Sequence, residues 1–95
     1  MKPSSFTLSE ASDITLNLLG FIAADEGRIE RFLALSGMSP QDLKDGAQKP
    51  EFLGFLLDYA LQDESLILEF AAATGTKPET IQGARFALPG ATYDI

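Results

Sequence analysis

Two pairs of neighbouring carboxylates, Asp25-Glu26 and Asp63-Glu64, are the residues of this sequence whose type and spacing most readily suggest chemistry. Carboxylates drawn together bind a hard cation such as Ca²⁺ or Mg²⁺, or hold a raised pKa. The spacing around these pairs is not that of an EF-hand loop. Each pair also suits a helix start, with Asp as the capping residue and Glu in a first turn that faces the positive end of the helix dipole. Helix starting is the favoured reading, and the four residues stand as secondary candidates for metal ligation.

Other chemistry has little to work with. The chain contains no His and no Cys. The commonest general base, the commonest transition-metal ligand, disulfides and thiolate nucleophiles are therefore absent. Ser36 and Ser65 have no His to activate them, and the Gly residues are too isolated to form a phosphate-cradling loop. The sequence predicts a protein that is not an enzyme and carries no cofactor.

Gly37-Met38-Ser39, with Leu43 six residues after the Gly, has the turn spacing of a helix-turn-helix. The reading helix would be Pro40-Gln41-Asp42-Leu43-Lys44-Asp45. Two Asp against one Lys repel phosphate, and 14 acidic residues against 7 basic ones give the whole chain a charge of −7. A nucleic-acid-binding regulator is thus the alternative rather than the leading expectation. The same charge disfavours an anionic membrane surface.

Apolar surplus is the stronger signal. Phe55, Tyr59, Leu66, Leu68 and Phe86 compete with Leu16, Leu19, Phe21 and Leu61 for the interior of a 95-residue chain. Surplus apolar area implies a protein partner or a second copy of the chain, so these five residues form the expected interaction surface.

The elements that would position these residues are all helical. Thr7-Leu8-Ser9-Glu10 is a capping box that opens a helix over about residues 8–24, with apolar residues at Leu8, Ala11, Ile14, Leu18 and Ile22. Asp25 caps a second helix, which Gly37 stops. Ser39-Pro40 starts a short third helix ending at Gly46. Lys49-Pro50 opens a fourth, running through Leu61 and apolar nearly all round, as a central helix is. A fifth carries Leu66 to Ala73 and closes at Gly75, and Pro78 begins a last one around Ile81. No segment alternates apolar and polar residues long enough to be a strand.

The chain also resembles itself. With Phe32 set on Phe70, an offset of 38, Leu18-Leu19 fall on Leu56-Leu57 and Asp25-Glu26 on Asp63-Glu64. Ile29 then falls on Ile67, Gly37 on Gly75 and Pro40 on Pro78. The expected architecture is one all-α domain over residues 1–95. It is a compact bundle of about six helices whose similar halves, 14–47 and 52–85, pack together about a pseudo-twofold axis. Residues 1–6 are expected as a loose arm and 87–95 as an extended tail. The apolar run Phe52–Leu57 is far short of the roughly 20 residues of a membrane span, and the N-terminus lacks a signal-peptide pattern. The expected location is the cytoplasm.

The stretch Glu30-Arg31-Phe32-Leu33-Ala34-Leu35-Ser36-Gly37-Met38-Ser39-Pro40-Gln41-Asp42-Leu43 is distinctive, as is the pairing of Leu57-Asp58-Tyr59 with Asp63-Glu64-Ser65-Leu66-Ile67-Leu68. Together they resemble a family of small, uncharacterised alphaproteobacterial proteins of similar length, a domain of unknown function, over residues 10–86. The resemblance implies a small bacterial cytoplasmic protein. It brings no activity, cofactor or site residue with it.

Overall fold

Local punctuation divides the chain into helices much as the sequence predicts. The computed structural model describes residues 6–89, and the rest of the arm and the tail from residue 90 lie outside them. Six helices follow one another among the described residues: α1 (Leu8–Ala23), α2 (Glu26–Ser36), α3 (Pro40–Gly46), α4 (Pro50–Leu61), α5 (Glu64–Thr74) and α6 (Pro78–Phe86). The described residues contain no strand.

Side chains that satisfy orphan N–H groups set the starts of α1, α2, α3 and α5, whereas α4 and α6 open at Lys-Pro without a side-chain cap. Thr7 and Glu10 close the expected capping box: the Glu10 N–H donates to Thr7 Oγ1 at 3.1 Å and the Thr7 N–H to Glu10 Oε1 at 2.8 Å. Asp25 accepts from the Arg28 N–H at 2.9 Å, and Asp63 from the Leu66 N–H at 3.2 Å. A second capping box joins Ser39 and Asp42. The stops of α2 and α5 are Gly37 and Gly75, both at φ 75° in the left-handed region where a Cβ is strained.

Gly46 ends α3 as predicted, but without the left-handed turn of Gly37 and Gly75. It is the last residue of α3, and a Cβ there would lie 2.6 Å from the Phe52 ring. The small residue lets the α3 end press onto α4.

As its composition predicts, α4 is central and packs against α1, α3, α5 and α6. Its Phe52, Leu53, Leu56, Leu57 and Ala60 are buried with Leu18 and Ile22 of α1, Phe32 of α2, Phe70 of α5 and Ile81 of α6. Thr15 is buried although polar, and its hydroxyl donates to the Ala11 carbonyl at 2.7 Å. Helices of the two sequence halves interleave, since α1 packs on both α4 and α6.

Their aromatic contacts are reciprocal. Phe32 meets Tyr59 edge-on at 4.8 Å, and Phe70 meets Phe21 edge-on at 5.5 Å. Phe21 and Tyr59 are themselves partners at the 38-residue offset.

Two expectations about the chain ends need correcting. Phe6 falls in the expected loose arm, but its ring lies where a Cβ on Gly83 would be only 2.8 Å away, so it rests on α6. The segment after α6 does not leave the body as an extended tail at once: Leu88 is buried and Arg85 holds the chain there. Arg85 Nη1 donates to the carbonyls of Leu88 at 3.2 Å and Pro89 at 3.1 Å. Its Nε and Nη2 grip both oxygens of Asp58 at 2.6 and 3.1 Å. Every arm of a buried guanidinium is thus occupied, as burial of a charge requires. Gly54 makes room, because a Cβ there would sit 2.7 Å from the Pro89 carbonyl.

Candidate functional site

The acidic pairs are spent on helix starts. Asp25 and Asp63 each accept a backbone N–H of their own first turn, while Glu26 and Glu64 are exposed beside them. The described residues hold no group of three or more acidic or His ligands suited to a metal ion. Asp63 instead faces Arg31, 3.8 Å away. Local capping has claimed these carboxylates, and the geometry does not assemble them into a cation site.

The would-be reading helix is similarly self-occupied. Ser39 and Asp42 cap α3 between them, and Gln41 Nε2 donates to Asp45 Oδ1 at 3.0 Å. Ser36, one of the two hydroxyls weighed for catalysis, accepts the Met38 N–H at 3.2 Å within the turn.

Apolar side chains make a more coherent site. Phe55 is 41% exposed and Leu35 65% exposed, and Tyr59 is half-buried between them and the core. These three line a cleft of about 490 Å³ between α2 and the corner where α4 meets α5. Phe55 and Tyr59 are held from beneath by the buried Phe32 ring, at 6.4 and 4.8 Å. Arg31, Asp63 and Glu64 lie around the edge. A hollow of about 290 Å³ adjoins it, sharing Arg31, Tyr59, Asp63 and Ser65 and bounded by Arg28 and Glu69. Arg28 closes that end: its guanidinium carbon sits 4.1 Å over the Phe21 ring, and its Nη2 lies 3.1 Å from Glu69.

The five residues expected to form one interaction surface are therefore dispersed. Phe55 and Tyr59 share the cleft. Leu66 is 6% exposed and belongs to the core, because α5 turns that face onto the bundle; only its edge reaches the adjoining hollow. Leu68 is 54% exposed but lies on another face of α5, in a shallow depression with Leu61 and Pro78. Phe86 is half-buried on α6.

Leu35 is not among the residues that the sequence marks as surplus, yet it forms the α2 wall of the cleft. The signal was its spacing: Arg28, Arg31 and Leu35 fall at i, i+3 and i+7, so Leu35 shares the face that carries two arginines. A second groove has no counterpart in the sequence pattern. Leu19, Ala23, Ile29, Pro40 and Leu43 line a nearly wholly apolar groove of about 360 Å³ between α1, α2 and α3.

Residues 8–91 match the family described as "Protein of unknown function (DUF3572)", and the chain belongs to that family. No curated protein and no solved structure matches it. No helix among the described residues is long and apolar enough to cross a membrane.

Proposed function

Starting from a family that assigns no activity, we propose that this chain is a non-catalytic helical module that binds a protein partner through the cleft between α2 and the α4–α5 corner. One observation carries the reading: exposed Leu35 and Phe55 and half-buried Tyr59 converge on one concave surface with a polar edge. Aromatic and aliphatic anchors within a polar rim are the usual make-up of a protein interface. The resemblance to alphaproteobacterial proteins makes the bacterial cytoplasm its setting in this reading. The alternative of a nucleic-acid-binding regulator is weaker, since α3 exposes Asp42 and Asp45 where phosphate would lie. We also read the two halves as a repeat, supported by the reciprocal Phe32–Tyr59 and Phe70–Phe21 contacts.

The test is site-specific cross-linking in the native cell. A photoreactive residue at position 55 should capture one protein, and the same residue at position 8, exposed on α1 away from the cleft, should not. No adduct at position 55, or the same adducts from both positions, would remove the cleft from consideration.

A further inference from the structure

We infer that the cleft receives a basic amphipathic helix of a partner protein, an inference that rests on the cleft being the binding surface. The first ground is its charge. Along α4, Glu51, Phe55, Asp58 and Gln62 follow at intervals of four, three and four residues, so they share one exposed stripe with an acid on either side of the phenylalanine. Glu64 adds a carboxylate where α5 begins. Of the cations near this stripe, Arg31 faces Asp63 and Arg85 holds Asp58, while Lys49 lies at its far end, before Glu51. Among the described residues, no ion pair engages Glu51 or Glu64. The cleft thus presents apolar anchors beside an excess of acids, with Asp58, Asp63 and Glu64 against Arg31 in its lining.

The second ground is the charge of the whole chain. At −7, it attracts a basic segment over a distance and opposes approach by another copy of itself. A second copy seated in the cleft would also add its own acids to Glu51 and Glu64.

The third ground is shape. The described residues offer no strand edge to which an extended peptide could add. The stripe from Glu51 to Gln62 is about 16 Å long at 1.5 Å per residue, matching about three turns of a helix laid alongside. Such a helix would set leucine- or isoleucine-like residues on Leu35, Phe55 and Tyr59, and Lys or Arg toward α4 and α5.

Three synthetic helices test this. They share one leucine stripe and differ only in the polar face, which is lysine and arginine, glutamine, or glutamate. Each is titrated against the full chain by fluorescence anisotropy at low salt. The basic helix should bind best, with the glutamate helix at least about tenfold weaker, and added salt should narrow the gap. Leu35→Ala and Phe55→Ala should each weaken the basic helix by about tenfold, as loss of an interface anchor does. Both side chains are exposed, and a circular dichroism spectrum will show that the variants fold. Leu68→Ala, outside the cleft, should leave binding unchanged. The double variant Glu51→Gln, Glu64→Gln should weaken the basic helix and strengthen the glutamate one.

Undiminished binding to Leu35→Ala and Phe55→Ala would mean attraction to the acidic surface at large and would overturn the inference. Equal or better binding of the glutamate helix in the cleft would also overturn it, while leaving the cleft as a binding surface. Binding by none of the three would overturn it too, and the position-55 cross-link would still judge the cleft by itself. A dimer in sedimentation that Phe55→Glu dissolves would put a second copy in the cleft, and the basic partner would be wrong.

Discussion

Helices α2 and α5 are built to one plan and used in two ways. Each has 11 residues, an Asp cap and a glycine stop in the left-handed region. Each also drives one phenylalanine into the core, where it meets an aromatic ring of the opposite half edge-on. Beyond that anchor they part. α5 also buries Leu66 and Ile67, whereas Phe32 is the sole fully buried residue of α2. At the positions of α2 that correspond to Leu66 and Ile67 stand Arg28 and the partly buried Ile29. The punctuation of a helix is written locally; how deep it sits depends on what its faces carry. α5 is part of the scaffold, and α2 is a wall whose one fully buried anchor is Phe32, leaving Arg31 and Leu35 to face outward.

The largest effects should come from the shared anchors. Phe32→Ala and Phe70→Ala should each destabilise the fold by about 3–5 kcal/mol, because both remove a fully buried ring and leave a cavity. Urea unfolding of the two variants measures this. A cost for Phe32→Ala well below that of Phe70→Ala would break the likeness and make α2 still more loosely held. The next test reaches the difference itself. Ile67→Ala should cost about 2–4 kcal/mol, and Ile29→Ala about half as much, since Ile29 already borders the open groove beside Leu19 and Leu43. Equal costs would mean that α2 is as deeply seated as α5.

The same division explains which features could be read from sequence. Helix starts and stops were legible because they depend on residues three or four apart: Thr7 with Glu10, Asp25 with the Arg28 N–H, Gly37 with the Leu33 carbonyl. The central place of α4 was legible because few of its positions are polar. What crosses the fold was not. Arg85 and Asp58 are 27 residues apart, and neither residue announces the pairing. The demand for a small residue at Gly54 appears only when Pro89 is brought against it. The acidic pairs were legible as caps for the same local reason that made them poor metal ligands. The cleft was half legible. Phe55 and Tyr59 stood out as surplus, but the other wall comes from α2, and its Leu35 could be placed there only by noting that it follows two arginines on one face.

The smallest effect concerns the tie between the two helices. Arg28 bridges from α2 to Glu69 on α5 while lying over Phe21 of α1, and its side chain is 30% exposed. An exposed ion pair contributes roughly 0.2–1 kcal/mol and is screened by salt, whereas stacking on an aromatic face adds about 0.5–1 kcal/mol at such a site. Glu69→Gln removes only the pair; Arg28→Ala removes both the pair and the stack. Arg28→Ala should therefore cost about 1 kcal/mol, more than Glu69→Gln, and the gap should persist at high salt because Phe21 needs no counterion to hold the guanidinium. Melting both variants at low and high salt reads the gap directly. If the two substitutions cost the same, the Phe21 stack contributes nothing, and Arg28 ties α2 to the bundle through the Glu69 pair alone, a tie that salt would loosen on the very wall that Arg31 and Leu35 give to the cleft.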